Sequence, residues 1–233
     1  MHCRIKGLVH QVVRAASAHA FALIISVVWF SLSVSGAHAA SCTGEALVNV
    51  TLPSGAQWEL CWELRDEEGV VIKEAAYKTP QGSFRNVLKE ASLAQINVAY
   101  DDGTPSQRHV TDIANGGGLG LNIHSLSPLD CIDGSLHASA GNTVLCVKTK
   151  PRGYAYKSYA LLQQGHMLVL ESRATVGLSS YIIHWRLYDD GSIEPSVGLT
   201  GLLPKIGSDP SYGWPLDQNN RVGVAFNTSY FWR

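Results

Sequence analysis

The sequence lacks the short motifs that hold zinc or phosphate. Neither Cys-x-x-Cys nor His-x-x-x-His spacing occurs among its five cysteines and nine histidines, which argues against a zinc site. The glycine cluster at 116–120 is not followed by a helix and a lysine, so it is not a phosphate loop. The formal net charge of −1 gives no indication of a nucleic-acid-binding protein.

Serine hydrolysis and isolated histidine ligands are also poorly supported. Ser179 and Ser180 do not lie in a Gly-x-Ser-x-Gly turn, and spacing alone assigns them neither a histidine nor an acid. His166 and His184 each stand alone on predicted strands. A histidine in such a place is more often solvated or hydrogen-bonded than bound to a metal, so neither is taken as a ligand.

The first 39 residues have the pattern of a signal peptide. Basic residues occur within the first 14, an uncharged apolar stretch covers 20–35, and Ala37 and Ala39 occupy the two positions that a signal peptidase reads. The alternative, a retained membrane anchor, needs a longer apolar span than 21–34 provides. We therefore predict cleavage after Ala39 and a secreted or periplasmic protein with no membrane segment once the signal is removed.

Residues 40–233 would form a single domain of ordinary size. Removal of the signal leaves 15 basic against 19 acidic residues, a formal charge of −4. It also leaves an even number of cysteines, which favours disulfides in an exported chain. They are Cys42, Cys61, Cys131 and Cys146. Cys61 lies on the polar face of a predicted strand, from which it could be joined to the Cys42 segment.

Alternating apolar and polar residues predict a mostly β protein. In the segment 181–188 one face carries the apolar residues Tyr181, Ile183, Trp185 and Leu187, and the polar turn 189–191 then leads into a return strand at 193–199. A similar face carries Trp58, Leu60, Trp62 and Leu64. Composition also predicts a turn at 163–165 and a single last strand over 222–232.

The central segment resembles a known enzyme family. From Tyr181 to Gly201 the chain reads Tyr-Ile-x-x-Trp-x-x-Tyr-x-Asp-Gly-x-Ile-Glu-x-x-Val-x-Leu-Thr-Gly, which is similar to the catalytic-domain hairpin of the copper amine oxidases. The Ala-Ser-Leu-Ala run at 91–94 and the pair Leu119-Gly120 resemble further parts of that domain. The likeness covers most of 58–233, about the first half of the family's catalytic domain.

This resemblance implies a fold and a disulfide. The fold would be an antiparallel β-sandwich, part of the family's supersandwich, truncated at its C-terminus. The stretches around Cys131 and Cys146 match two strands that the family joins by a disulfide, which implies that these two cysteines are paired.

At the family's reactive positions this chain has other residues. The tyrosine that copper and oxygen convert into the quinone cofactor is replaced by Ser179, and the base aspartate by Ala140. The His-x-His pair that binds copper is replaced by Phe226 and Thr228, and the third histidine lies beyond the matched region. Tyr181, two residues from the quinone position, is a weak alternative, because the family commonly has an ordinary aromatic residue there.

The resemblance therefore implies an amine oxidase-like protein that is noncatalytic and serves as a binding or assembly module, with no cofactor expected. One alternative is a primary-amine oxidase completed by a second chain, and another is an unstable gene product. Exposed strand edges in a partial sandwich would favour a homo-oligomer or pairing with a partner chain.

Overall fold

The computed structural model describes residues 40–103, 107–202, 209–216 and 222–233. The predicted signal peptide lies outside these ranges. Within them every strand pair is antiparallel, the only helices are four single 3₁₀ turns, and no helix is long and apolar enough to cross a membrane. The strands are β1 Leu47–Thr51, β2 Gln57–Arg65, β3 Gly69–Lys78, β4 Arg85–Ala91, β5 Leu93–Tyr100, β6 Gln107–His109, β7 Gly134–Ser139, β8 Asn142–Lys157, β9 Leu162–Val176, β10 Ser179–Tyr188, β11 Ile193–Gly201, β12 Gly213–Pro215, β13 Val222–Val224 and β14 Phe226–Trp232. The 3₁₀ turns are Gly44–Ala46, Ile113–Asn115, Pro128–Asp130 and Pro210–Tyr212.

Three sheets share one hydrophobic core. Their strand orders are β1-β2-β3-β4, β11-β10-β9-β8-β7 and β14-β5-β6, and β12 and β13 form a separate pair. Trp58, Ile96 and Leu170, one from each of the three sheets, are fully buried in the same cluster. The predicted mostly β, antiparallel architecture is confirmed.

The central hairpin consists of β10 and β11. The predicted face of Tyr181, Ile183, Trp185 and Leu187 is buried, each residue being at most 3% exposed. At the turn Gly191 has a φ of 88°, a conformation that glycine adopts without steric cost. The sequence alternation therefore identifies correctly the side of this hairpin that faces the core.

Two hydrogen bonds tie the four-stranded sheet to the end of this hairpin. Trp58 Nε1 donates to the carbonyl oxygen of Tyr188 at 2.9 Å, and the hydroxyl of Tyr77 donates to the carbonyl oxygen of Asp189 at 2.8 Å. Arg152 of β8 forms an ion pair with the Asp189 carboxylate at 2.7 Å. Strands from two sheets thus fix the same turn.

The turn predicted at 163–165 is wrong. Those residues belong to β9, where Gly165 pairs with Gly153 of β8. The chain instead reverses at 158–161, where the Ser158 amide donates to the Leu161 carbonyl oxygen at 2.8 Å and the Ser158 hydroxyl accepts from the Leu161 amide at 3.1 Å. Glutamine and glycine resemble a turn locally, but cross-strand pairing decides the structure and lengthens the hairpin.

The predicted last strand is in fact two strands. β13 pairs with β12, whereas β14 pairs with β5 in a different sheet. The chain changes partners at Ala225, whose carbonyl oxygen accepts a hydrogen bond from the Asp101 amide at 2.9 Å. Alternation of side chains could not reveal this change because both strands are extended.

Both disulfides are present in the structure. Cys131 is bonded to Cys146 with their Cα atoms 5.5 Å apart, as the family resemblance implied. Cys42 is bonded to Cys61 with a Cα separation of 5.8 Å, which fastens the segment before β1 to β2. The remaining cysteine, Cys3, lies outside the described residues.

A buried carboxylate links three strands of the five-stranded sheet. Glu171 of β9 is 7% exposed and contacts Lys148 Nζ at 2.8 Å, Arg173 at 3.0 Å and His184 Nε2 at 3.4 Å. The hydrogen bonds from His184, Lys148 and Arg173 outweigh burial and hold the pKa of the Glu171 carboxyl well below its usual range. His184 is therefore hydrogen-bonded to a carboxylate, one of the two situations expected for it.

Replacing Glu171 by glutamine should destabilise the fold at neutral pH. We expect the free energy of unfolding to fall by about 3 kcal/mol, because the partly buried cations lose their anionic partner. Since the folded pKa is below the unfolded one, this stabilisation is present above about pH 4.3 and is lost as the pH falls towards the folded value. Urea denaturation from pH 7 to pH 3 should show a steeper loss for the unaltered protein than for E171Q.

The matched control is Glu194→Gln on the same sheet. Glu194 pairs with Arg186, but its side chain is 51% exposed, so its loss should cost less than about 1 kcal/mol. Equal destabilisation of E171Q and E194Q would contradict the structural importance of the Glu171 cluster.

Candidate functional site

A cavity of about 210 Å³ opens where β10 begins and β11 ends. Hydroxyl groups and apolar side chains line it, and two of the lining residues are Ser179 and Phe226. The full lining is Ser179, Leu199, Thr200, Gly201, Leu202 and Phe226. The structure thus brings together Ser179, which the motif resemblance assigns to the family's quinone position, and Phe226, which it assigns to a copper-ligand position.

The paired ends of β10 and β11 form one part of the cavity lining. Ser179 is the first residue of β10 and pairs with Gly201, the last residue of β11. Gly201 has a φ of 140°, and a Cβ atom there would overlap the carbonyl oxygen of Leu178. That same oxygen accepts a hydrogen bond from the Leu202 amide at 3.0 Å. The backbone therefore closes tightly at this point and requires glycine.

Strand β14 contributes Phe226 to the cavity lining. Phe226 pairs with Tyr100 of β5, and their rings are 6.4 Å apart. Thr228 and Trp232 follow at even spacing on the same strand, and the Trp232 ring packs edge-on against Trp185 of β10 at 5.1 Å. This ring contact holds β14 against the central hairpin and so positions Phe226 beside Ser179.

Tyr181 lies next to the cavity but in the core. It is 2% exposed, and burial, reinforced by Tyr100, raises the pKa of its hydroxyl to about 12, although a hydrogen bond with the Ser179 side chain acts in the opposite direction. Ser180, on the other face of β10, forms a hydroxyl–hydroxyl hydrogen bond with Thr175 at 2.7 Å. Neither arrangement provides an activated nucleophile.

Ala140 is not among the residues that line the cavity. It lies in the turn between β7 and β8, where it has a φ of 50° and Gly141 a φ of 83°. Nearby His137 packs against the segment before β1, with its Nδ1 atom 3.2 Å from the carbonyl oxygen of Glu45. The structure therefore brings Ser179 and Phe226 into one cavity lining, which does not include Ala140.

The lining residues that motif comparison missed come from β11 and the residue after it. The hairpin spacing could have indicated Leu199 and Thr200, because they lie opposite the start of β10. Leu202 continues the same hairpin, since its amide donates to the Leu178 carbonyl oxygen. The contribution of β14 depends instead on pairing with the distant β5, for which the sequence carried no signal.

These side chains do not fit copper or a quinone precursor. The lining provides no imidazole, thiolate or carboxylate, and phenylalanine has no donor atom for a metal. Over the whole described part of the chain, no group of three or more His, Cys, Asp or Glu residues is placed to hold a metal ion.

The fold and the hairpin define the class of protein. A family model described as the copper amine oxidase enzyme domain matches residues 54–224, so the chain belongs to the copper amine oxidase family.

The chain matches part of the length of longer known relatives. The primary amine oxidase of Arthrobacter sp. (strain P1) is 28% identical over 205 residues, covering 74% of this chain and 31% of the relative. The peroxisomal copper-containing diamine oxidase 1 of Nicotiana tabacum is 27% identical over 166 residues, covering 63% of this chain and 21% of the relative. The chain thus spans a third or less of the length of these relatives.

Solved structures give the same fold. The lysyl oxidase of Pichia pastoris superposes with a TM-score of 0.58 at 15% identity, over 76% of this chain and 26% of that one. The copper-containing benzylamine oxidase of Hansenula polymorpha gives a TM-score of 0.56 at 19% identity, over 80% of this chain and 33% of that one.

The position of Tyr181 can be tested by nitration with tetranitromethane. Because its ring is buried and its phenolate is disfavoured, we expect Tyr181 to remain unmodified at pH 8 while the exposed Tyr212 reacts. Mass spectrometry of tryptic peptides measures both in one sample, so Tyr212 is the internal control. Nitration of Tyr181 at the rate of Tyr212 would contradict its placement in the core.

Proposed function

We propose that this member of the copper amine oxidase family is an exported protein that does not oxidise amines with its own residues and acts as a binding or assembly module. The observation that carries the proposal is the cavity shared by Ser179 and Phe226. Two chain segments that family motifs assign to the quinone and to copper meet there, and both bring side chains unsuited to those roles.

The chemistry explains why these substitutions matter together. Amine oxidation in this family depends on its cofactor as the electron acceptor. Loss of the base aspartate alone would reduce the rate by about 10²- to 10⁴-fold and leave slow turnover. Loss of the precursor tyrosine is more severe, because a serine such as Ser179 cannot be converted to a quinone.

Tyr181 does not replace the missing tyrosine. Residues two apart on a strand lie on the same face about 6 to 7 Å apart, so its ring is displaced along β10 from the position of Ser179. It is also packed in the core rather than among the cavity-lining residues. We therefore assign Tyr181 a structural role.

Export is supported by the pattern of the first 39 residues and by the two disulfides, which suit an oxidising compartment. A second candidate function is amine oxidation completed by a separate chain. It is favoured by the match of residues 54–224 to the enzyme domain of the family. It requires a companion chain carrying the His-x-His pair and the third histidine.

Purified mature protein should fail the reactions that define the family. After incubation with copper and oxygen we expect no visible quinone absorption, no phenylhydrazine adduct and no hydrogen peroxide on addition of primary amines. Copper should be removed by dialysis, because the cavity offers hydroxyl groups where imidazoles would be needed.

The variant Ser179→Tyr extends this test. It restores a tyrosine at the quinone position but no copper ligand beside it, so it too should remain without quinone. One copper per chain retained through dialysis, together with a hydrazine adduct mapped to Tyr181, would overturn the noncatalytic proposal. Activity that appears only when a companion chain is added would favour the second candidate.

The hairpin formed by the outer ends of β8 and β9 supports a proposal of self-association. Around its turn at 158–161 it exposes five large side chains, each more than half accessible: Tyr154, Tyr156, Tyr159, Leu161 and Leu162. An apolar patch of this kind on a paired strand end is typical of a protein interaction site. We propose that a second copy of this chain covers it.

Light scattering should therefore detect a dimer or larger homo-oligomer at micromolar concentration. The double change Tyr156→Ser and Leu161→Ser should shift the protein towards monomer, because it removes apolar area from the contact. The matched control is Leu129→Ser, which changes an 85% exposed leucine outside the hairpin and should leave the mass unchanged. A stable monomer of the unaltered protein would count against the proposal.

A further inference from the structure

We propose that Ala40 is the amino terminus of the exported protein and that its α-ammonium group docks on Glu59, with Glu74 beside it, as a charged anchor. This anchor would hold the processed N-terminus on the four-stranded sheet. Two independent observations point to Ala40. The signal-peptide pattern predicts cleavage after Ala39, and in the structure the Glu59 carboxylate accepts a hydrogen bond from the backbone nitrogen of Ala40.

The contacts are specific to the first two residues of the processed chain. The backbone nitrogen of Ala40 donates to Glu59 Oε1 at 3.0 Å, and that of Ser41 donates to Glu74 Oε2 at 2.7 Å. Ala40 is only 7% exposed. Cys42 follows at once and is fastened to β2 by its disulfide with Cys61. The segment is therefore held at each of its first three residues.

The two carboxylates have no cationic partner within salt-bridge distance among the described residues. Besides Ala40, Glu59 accepts a hydrogen bond from Asn49 at 2.9 Å. Hydrogen bonds from Ser41 lower the pKa of the Glu74 carboxyl, which keeps it anionic. A half-buried pair of anions facing one backbone segment is stabilised by a cation, and an α-ammonium group at Ala40 would supply it.

Glu74 is also held in an uncommon backbone conformation. It lies in an irregularity of the β2–β3 ladder, between the pairs Glu59–Ala76 and Cys61–Lys73, and its φ is 50°. An L-residue adopts that φ at an energetic cost, which is typical of positions with a specific role. Here the carboxylate at this bulge reaches Ser41.

Space for a charged terminus exists beside these contacts. Ala40, Ser41 and Glu74 line a groove of about 670 Å³ together with residues 86–89 of β4. The charged groups around the terminus are Glu59 from β2, Glu74 from β3 with the adjacent Lys73, and Lys89 from β4. The anions make the direct hydrogen bonds to the segment.

Processing supplies the charge. A signal peptidase hydrolyses the bond between Ala39 and Ala40 with one water molecule, leaving a carboxylate on the released peptide and an amine on Ala40. That amine is protonated at neutral pH, so a neutral amide with one N–H becomes a cation with three. Charge-assisted hydrogen bonds are about twice as strong as neutral ones, so cleavage would strengthen the contact to Glu59.

The test uses the full chain, exported and processed by the cell. N-terminal sequencing should begin at Ala40, and acylation of the α-amine at pH 8 should be about tenfold slower in the folded protein than in urea, because the ion pair disfavours the neutral, reactive amine. Glu59→Gln should remove most of this protection, whereas the control Glu67→Gln, on a carboxylate away from the segment, should keep it.

A second experiment separates the charge from the local contacts. Insertion of Gly-Ser between Ala39 and Ala40 moves the ammonium group away while leaving residues 40–42 intact. It should lower the melting temperature of the unaltered protein but cause little further loss in E59Q. The loss should disappear above about pH 9, because the free amine is then neutral in both proteins.

Three results would overturn the anchor: a processed N-terminus at another residue, equal acylation rates in folded and unfolded protein, or the same cost of insertion in both backgrounds. If E59Q fails to fold, the acylation rate of the unaltered protein and the effect of the insertion still decide the question.

Discussion

The structure depends on the burial of one face of β10, which residues of two other sheets help to cover. Tyr181, Ile183, Trp185 and Leu187 are almost inaccessible, and each apolar side chain of this size contributes roughly 1.5–3 kcal/mol when fully buried. Trp232 packs on this face from β14, while hydrogen bonds from Trp58 and Tyr77 fix the turn at its far end. Sheets from distant parts of the chain thus meet on a single strand.

Local alternation was sufficient to predict that strand and its orientation because burial of one face imposes a period of two residues. It failed where the outcome depended on which strand lies alongside. Residues 163–165 look like a turn but pair with β8, and 222–232 look like one strand but divide between two sheets. In both places strand pairing, rather than local residue type, decides the structure.

In the candidate site, too, the sequence identifies individual residues but not which of them are neighbours in space. Family motifs assigned roles to Ser179, Ala140, Phe226 and Thr228 one at a time, without saying which would be neighbours. The pairing of β14 with β5 and the packing of Trp232 on Trp185 bring Phe226 to Ser179, whereas Ala140 lies in a turn and is not among the residues that line the cavity. The proximity of Ser179 and Phe226 therefore follows from tertiary packing, which the motif comparison alone does not predict.

The separation of core from cavity indicates how the fold could be kept in a protein that, as we propose, does not carry out the family's chemistry. Ser179 and Phe226 are both at least partly accessible, and neither belongs to the buried cluster that joins the sheets. Substitutions at such positions remove little buried apolar area, so they cost less stability than changes at Trp185 or Tyr181 would. The proposed loss of the cofactor tyrosine is therefore compatible with an intact β framework.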